Sequence, residues 1–294
     1  MNTLSVGPCT LTWGSRTYVM GILNITPDSF SGDGILAHAD AIQAALETAR
    51  QFVEAGALIL DVGGESTRPG SQPVDADEER RRVIPIIQAL VREFPESLVS
   101  IDTYKSVIAE EALEAGAHIV NDVWALRADP RLRQVVARAK CPVILMHNRS
   151  NPASVEVRTQ LGNAYIGPEY ADLLTDVKRE LMESVALARE AGVPDDHIIL
   201  DPGIGFGKKV EQNLELINRL GEIRALGFPV LLGPSRKSFI GYTLDLPAQE
   251  RVEGTAAAVA VGIVRGADIV RVHDVTPMMR IVKMTDALVR RTRG

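Results

Sequence analysis

One recurring pattern limits the fold of this chain more than any other: a segment of helical period, a glycine, and a short apolar run. It appears in EAGALIL, EAGAHIV, EAGVPDDHIIL and RALGFPVLL. The apolar runs are VMGILNIT (19–26), LILDVGG (58–64), LVSIDT (98–103), HIVNDV (118–123), PVILMHN (142–148), HIILDPG (197–203), PVLLGPS (229–235) and DIVRVHD (268–274). Between them the apolar spacing changes to three and four, so that Val83, Ile86, Ile87, Leu90 and Val91 share one helical face and Val210, Leu214 and Ile217 another. The glycines suit the left-handed position that ends a helix. Strands apolar along most of their length belong to a parallel sheet covered by helices, and eight is the number that closes a TIM barrel. An open doubly wound sheet is the rival, but no GxGxxG follows the first strand to support it. The expectation is an α/β protein, a single-domain (β/α)8 barrel over 19–294 preceded by an N-terminal hairpin segment, 1–18. The hairpin turn is placed at the GS of LTWGSRTYV. Residues 149–167, with NPAS and IGPE, read as a mobile loop rather than a linker.

Composition narrows the function classes. At 294 residues, with 46% hydrophobic and 24% charged residues, the chain can bury a large core without disulfides or metals. A net charge of -6 argues against nucleic acid as a partner, and Arg80, Arg81 and Arg82, which follow acidic residues in a helical pattern, read as a solvated face. Cys9 and Cys141 form no CxxC pair, so neither a disulfide framework nor a zinc site is expected and a reduced, cytoplasmic setting fits. No basic-then-apolar leader and no apolar run of roughly 18 residues is present, so no membrane partner is expected.

In a TIM barrel the chemistry lies at the C-terminal ends of the strands. Those ends carry Asn24, Asp61, Asp102, Asn121 with Asp122, His147 with Asn148, Asp201, Ser235 with Arg236 and Lys237, and Arg271 with His273. Any one Asp after a strand is ordinarily a helix cap; a polar group on nearly every strand of one rim is a site. Asn24, Lys237, Arg271 and His273, with the Ser235 hydroxyl, come from adjoining strands and would gather around an anion. Asp102, Asn121 and Asp201 come from the opposite side and need donors. A metal could supply them, but no histidines join the carboxylates at ligand spacing, and a donor-rich heterocycle such as a pterin or guanine serves equally well and is the reading adopted.

Other motifs have plainer readings. DPGIGFGKK (201–209) fails the Walker spacing, and its glycines suit the approach of a flat ring beside Asp201. A lone strand-end histidine such as His147 is more often a hydrogen-bonded structural residue than a catalyst, and Met146 reads as core or pocket wall.

The combination NITPDSFSGDG (24–34), DVGGESTRPGS (61–71), SIDT (100–103), NDV (121–123), LMH (145–147), DPGIGFGK (201–208), GPSRKSFIG (233–241), GT (254–255) and RVHDV (271–275) resembles the dihydropteroate synthases, sulfonamide-inhibited enzymes of folate synthesis. The resemblance runs in order from residue 19 to about 275. It implies a TIM barrel that condenses 6-hydroxymethyl-7,8-dihydropterin pyrophosphate with p-aminobenzoate, using Mg²⁺. Carried onto this sequence, it implies that Asp102, Asn121, Met146, Asp201, Phe206 and Lys237 hold the pterin, and that Arg271 and His273 hold the pyrophosphate, with Asn24 acting through Mg²⁺. Phe30, Thr67, Arg68, Pro69 and Ser238 would flank p-aminobenzoate, Thr67 touching the pterin pyrophosphate as well. Asp102, Asp201, Lys237, Arg271 and His273 would be the catalytic set, Asp33 would support the closed loop, and the molecule would be a homodimer. SGDG replaces the frequent SDGG after Phe30, and no insertion there suggests a sulfonamide-excluding form. A pterin-dependent methyltransfer domain would not need STRPG and SRKSFIG together, and a silent paralogue would show losses at Lys237, Arg271 or His273; neither pattern is seen.

Overall fold

The structure, a computed structural model, describes residues 3–25, 35–66, 71, 73–150, 155–156, 164–165 and 169–290. It begins with a hairpin of β1 (Thr3–Val6) and β2 (Cys9–Thr12). There follow β3 (Tyr18–Asn24), α1 (Ile35–Ala55), β4 (Ile59–Gly63), α2 (Ala76–Glu93), β5 (Leu98–Asp102), α3 (Ser106–Glu114), β6 (Ile119–Asp122), α4 (Leu132–Ala139) and β7 (Val143–Met146). A small antiparallel ribbon, β8 (Val155–Glu156) with β9 (Ala164–Tyr165), lies within the stretch read as a loop. The chain continues through α5 (Leu173–Glu190), β10 (Ile198–Asp201), α6 (Val210–Asn218), α7 (Leu220–Arg224), β11 (Leu231–Leu232), α8 (Ser238–Leu244), α9 (Val252–Val264), β12 (Ile269–Val272) and α10 (Val275–Val289).

Every one of the eight apolar runs contains a strand of one parallel sheet, ordered β10-β7-β6-β5-β4-β3-β12-β11. A parallel bridge between Leu200 and Val230, with the Leu200 N–H donating to Pro229 O at 2.9 Å, joins its two ends and closes the barrel. The glycines before the strands adopt the left-handed conformation as expected, Gly56 at φ +109° and Gly116 at +104° among them.

Period-two alternation divides the barrel interior into levels. The first inward level is apolar and buried: Met20, Ile59, Leu98, Ile119, Ile144, Ile199, Leu231 and Ile269 form one cluster with Leu4, Val6, Leu11 and Trp13 of the N-terminal segment. The hairpin is thus a plug over the N-terminal end of the barrel. A second, larger core lies between the outer faces of the strands and the helices. Two residues further along the strands the inward positions turn polar, with Asp61, Ser100, Asn121, Asp201 and Arg271.

Three local readings are corrected. The hairpin turns at Gly7 and Pro8, not at Gly14 and Ser15, because Gly7 takes φ +50° and a Cβ there would lie 2.3 Å from the His118 ring. On α6, Leu214 is 43% exposed, while Asn213, Leu216 and Ile217 are buried. The helix is rotated toward Asn213, whose amide accepts from Gly205 N at 2.6 Å and donates to Lys208 O at 3.2 Å, a polar anchor that apolar spacing does not reveal. Arg80 and Arg81 form surface pairs, but Arg82 is buried and donates to Gly64 O at 2.9 Å, fastening α2 to the end of β4.

Leu11 is fully buried in the plug. Leu11→Ala is expected to destabilise by about 2–5 kcal/mol through lost burial and a residual cavity, whereas Leu214→Ala should stay within about 0.5 kcal/mol. Urea unfolding midpoints check both; equal midpoints for the two variants would contradict the plug.

Candidate active site

The polar level sits where β3 to β12 end. Arg271 on β12 reaches across β3: its Nε donates to Asp61 Oδ2 and its Nη2 to Asp102 Oδ2, each at 2.6 Å. Asn121 Nδ2 donates to the same Asp61 Oδ2 at 3.2 Å. Asp102 is opposite Asn121 in the β5–β6 register, and Asp201 opposite Met146 in β10–β7, which makes these four residues neighbours along one arc of the mouth. Burial pushes the Asp102 carboxyl up to about 7 against the opposing pull of Arg271. Burial also raises Asp201, opposed chiefly by the charge of Lys237.

The sequence separated a cationic half from a carboxylate half, and Arg271 overturns that division. Its side chain spans both, so Asp102 does have a cationic partner. The carboxylates could not be matched to this arginine from the sequence, because the pairing spans 169 and 210 residues.

The rest of the mouth is held by the turn after β10 and the loop after β11. Asp201 Oδ1 accepts from Gly203 N at 2.7 Å, a local turn that fixes the carboxylate. Gly203 has φ +69°, and a Cβ on it would lie 1.8 Å from His147 O, so only glycine fits. Lys237 donates to Ile204 O and lies 4.5 Å from the centre of the Phe206 ring. Burial lowers this lysine to about 8, with Asp201 acting to hold its charge. Lys237 is aimed back at the turn because Arg236 before it is left-handed, φ +56°, an unusual state for a bulky residue. Arg236 is braced by Thr255 Oγ1, which accepts from its N–H at 3.1 Å, and by Asp274, which accepts from its Nε at 2.8 Å. His273 takes the Ser235 hydroxyl at 3.0 Å from Nδ1, and its Nε2 lies 3.5 Å from Asn24 Nδ2. Ser238 is the half-buried first residue of α8. Phe30, Asp33, Thr67, Arg68 and Pro69 lie outside the described residues.

Three strand-end groups serve the scaffold. Asp122 accepts from Trp124 N and Leu126 N at 2.8 and 2.6 Å, and Asn148 Oδ1 accepts from Ser150 N at 2.8 Å. His147 is fully buried and hydrogen-bonded, with Nε2 3.0 Å from Glu180 Oε2 and Nδ1 3.0 Å from Lys208 Nζ. Two residues were given no role from the sequence, Asp61, which was named only as one of the strand-end polar groups, and Lys208. Asp61 interrupts an apolar run at an inward position, which was the available signal. Lys208 gave none: it is buried behind the glycine turn, donates to Gly203 O and Phe206 O at 2.9 and 3.0 Å, and is lowered to about 7 by desolvation. Among the described residues, no group of three or more His, Cys, Asp or Glu side chains is placed to hold a metal.

Residues 20–273 match the family described as pterin binding enzyme. The dihydropteroate synthase of Clostridium beijerinckii is 48% identical over 289 residues, covering 98% of this chain and 100% of that protein. A Clostridium difficile dihydropteroate synthase structure determined in the presence of pteroic acid superposes with a TM-score of 0.85 at 45% identity, covering 95% of this chain and 99% of that one. The Yersinia pestis enzyme in a sulfonamide drug complex gives 0.86 at 37% identity, covering 97% and 98%. A barrel whose mouth gathers these residues, matched over nearly its whole length, belongs to the pterin binding enzyme family and, within it, to the dihydropteroate synthases.

Proposed function

We propose that this chain condenses 6-hydroxymethyl-7,8-dihydropterin pyrophosphate with p-aminobenzoate, giving 7,8-dihydropteroate and pyrophosphate. The observation that carries this is the arc of acceptors Asp102, Asn121 and Asp201 beside the cations Lys237 and Arg271. Acceptors suit the ring N–H donors of a pterin, and cations suit a departing diphosphate. The methylene C–O bond breaks with its electrons leaving on pyrophosphate. The amine nitrogen then bonds to the methylene carbon and loses a proton. Arg271 and His273 bind the leaving charge, while Asp102 and Asp201 stabilise positive charge on the ring. Met146, Phe206 and Lys237 border the ring. Phe30, Thr67, Arg68, Pro69 and Ser238 would recognise p-aminobenzoate, and a sulfonamide would take its place. SRKS is present with Lys237, Arg271 and His273 all retained, which favours this reading over methyl transfer or a silent paralogue.

Mg²⁺ fits Asn24. The amide oxygen of a strand-end asparagine beside His273 is a hard ligand, and this ion ordinarily takes one or two protein groups, with phosphate and water completing its shell. Bound with the substrate, it would neutralise diphosphate charge. A homodimer is supported by an apolar surface on the adjoining helices α9 and α10, where Val264 is 55%, Met284 62% and Leu288 70% exposed. The free cysteines Cys9 and Cys141 are consistent with a reducing cytoplasm.

Dihydropteroate, detected by mass, should form only with both substrates and Mg²⁺. A chelator should stop turnover without lowering the thermal midpoint, and a sulfonamide should compete with p-aminobenzoate rather than with the pterin; product from one substrate alone would refute the reaction. With Asp102 raised to about 7 and Lys237 lowered to about 8 by burial, kcat/KM should fall below about 7 as the acceptor is protonated and above about 8 as the cation is lost. A profile flat from pH 6 to 9 would remove Asp102 and Lys237 from these roles. In sedimentation, wild type should run as a dimer and Leu288→Glu with Val264→Glu as a monomer; a monomeric wild type would dismiss the dimer.

A further inference from the structure

Asp61 is a charged side chain at the mouth given no contact with substrate in the proposed reaction, yet it is fully buried. Its Oδ2 accepts from two residues assigned to different parts of the substrate: Arg271 Nε at 2.6 Å and Asn121 Nδ2 at 3.2 Å. We infer that Asp61 is a positioning residue that couples the two halves of the pterin pyrophosphate site, holding Arg271 for the diphosphate and fixing which end of the Asn121 amide meets the ring. This rests on the proposed reaction.

Arg271 shares its charge between two carboxylates. Its Nε and Nη2 are divided between Asp61 and Asp102 on neighbouring strands, and among the described residues its Nη1 has no hydrogen-bond partner. When a ring with N–H donors recruits Asp102, the arginine must keep a counter-ion, or a buried guanidinium is left uncompensated. Asp61 lies one strand nearer to β12 than Asp102 and, among the described residues, forms no other ion pair, so it can remain with Arg271 while Asp102 turns to the ring. The guanidinium then stays oriented through Nε, and Nη1 can donate to the leaving group.

For Asn121 the effect of Asp61 is on polarity. An amide can present either an acceptor or a donor, and a carboxylate offers acceptors only. With Nδ2 turned to Asp61, the end of the Asn121 amide directed away from that carboxylate is Oδ1, an acceptor for a ligand. Asp102, Asn121 and Asp201 therefore present acceptors throughout, which selects a heterocycle whose facing edge carries donors. A neutral group at position 61 would let the amide rotate, and that selection would weaken.

The test combines Asp61→Asn with Asn121→Ala in a double-mutant cycle. Binding of 6-hydroxymethylpterin, without diphosphate, reads the Asn121 arm; binding of inorganic pyrophosphate reads the Arg271 arm. Asp61→Asn is expected to weaken each by about tenfold or more, the scale of a lost charge-assisted hydrogen bond, while KM for p-aminobenzoate changes by less than about twofold. In the Asn121→Ala background, the further loss of pterin affinity from Asp61→Asn should nearly vanish. Equal losses in both backgrounds, or no loss, would overturn the coupling. If Asp61→Asn does not fold, a crystal structure of the wild-type protein with 6-hydroxymethylpterin decides: Arg271 Nε and Asn121 Nδ2 should remain on Asp61, and departure of either refutes the inference. A wild-type protein that binds no pterin would instead bring down the proposed reaction.

Discussion

The arrangement of this barrel turns on one ionic contact, Arg271 lying across the interior between Asp61 and Asp102. A closed eight-stranded barrel has little room for water at its centre, so a charge placed there must be answered by another charge. Such pairs often contribute little net stability, because removing both partners from water costs about as much as their attraction returns. What the contact does supply is position. The arginine can occupy few places when its fork is divided between two strands, and the asparagine hydrogen-bonded to Asp61 is fixed along with it. Stability is provided elsewhere, by the apolar level beneath and the hairpin that seals it.

Behind the mouth, a second buried network performs a similar task for the glycine turn. Lys208 donates to His147 Nδ1, so the remaining ring proton is on Nε2, facing Glu180. Desolvation, aided by the charge of Lys208, lowers His147 to about 3 and keeps the imidazole neutral. Burial works against ionisation of Glu180, but hydrogen bonds from His147 and Arg149 prevail and hold it below the usual carboxylate range. The chain of contacts ends at Gly203 O and Phe206 O, the backbone that shapes the floor beside Asp201. A turn rich in left-handed glycines would otherwise have many conformations; here a lysine without access to water selects one.

Much of this was legible in the sequence, for physical reasons that can be named. The eight strands and the helix-terminating glycines follow from local periodicity and φ preference, which neighbouring residues carry. Strand-end polar groups such as Asn121 and Asp201 could be located at the mouth because a parallel barrel places all those ends together. Partnership could not be read. Whether Arg271 meets Asp102, or Lys208 meets His147, depends on side-chain reach across a closed cylinder. The rotation of α6 was missed because a polar side chain sets it, Asn213 bonding to Gly205 in the turn before the helix, which apolar spacing does not register; the hairpin turn was missed because Gly7 packs against His118, a contact distant in sequence.

The same geometry limits the kind of catalysis this site can perform. Cys141 lies two residues before β7, at the opposite end of the barrel, and burial pushes its thiol up to about 12. The Ser235 hydroxyl is occupied by the N–H and ring of His273. Neither is poised to attack a methylene carbon, and the carboxylates on the rim are committed to Arg271 or to backbone donors. A site built this way accelerates a reaction by holding fixed charges where charge develops, which costs no rearrangement when the bond breaks. That demand explains why so many groups at the mouth are anchored from behind: a dipole aimed a little wide loses most of its effect, so the residues that touch nothing reactive set the accuracy of those that do.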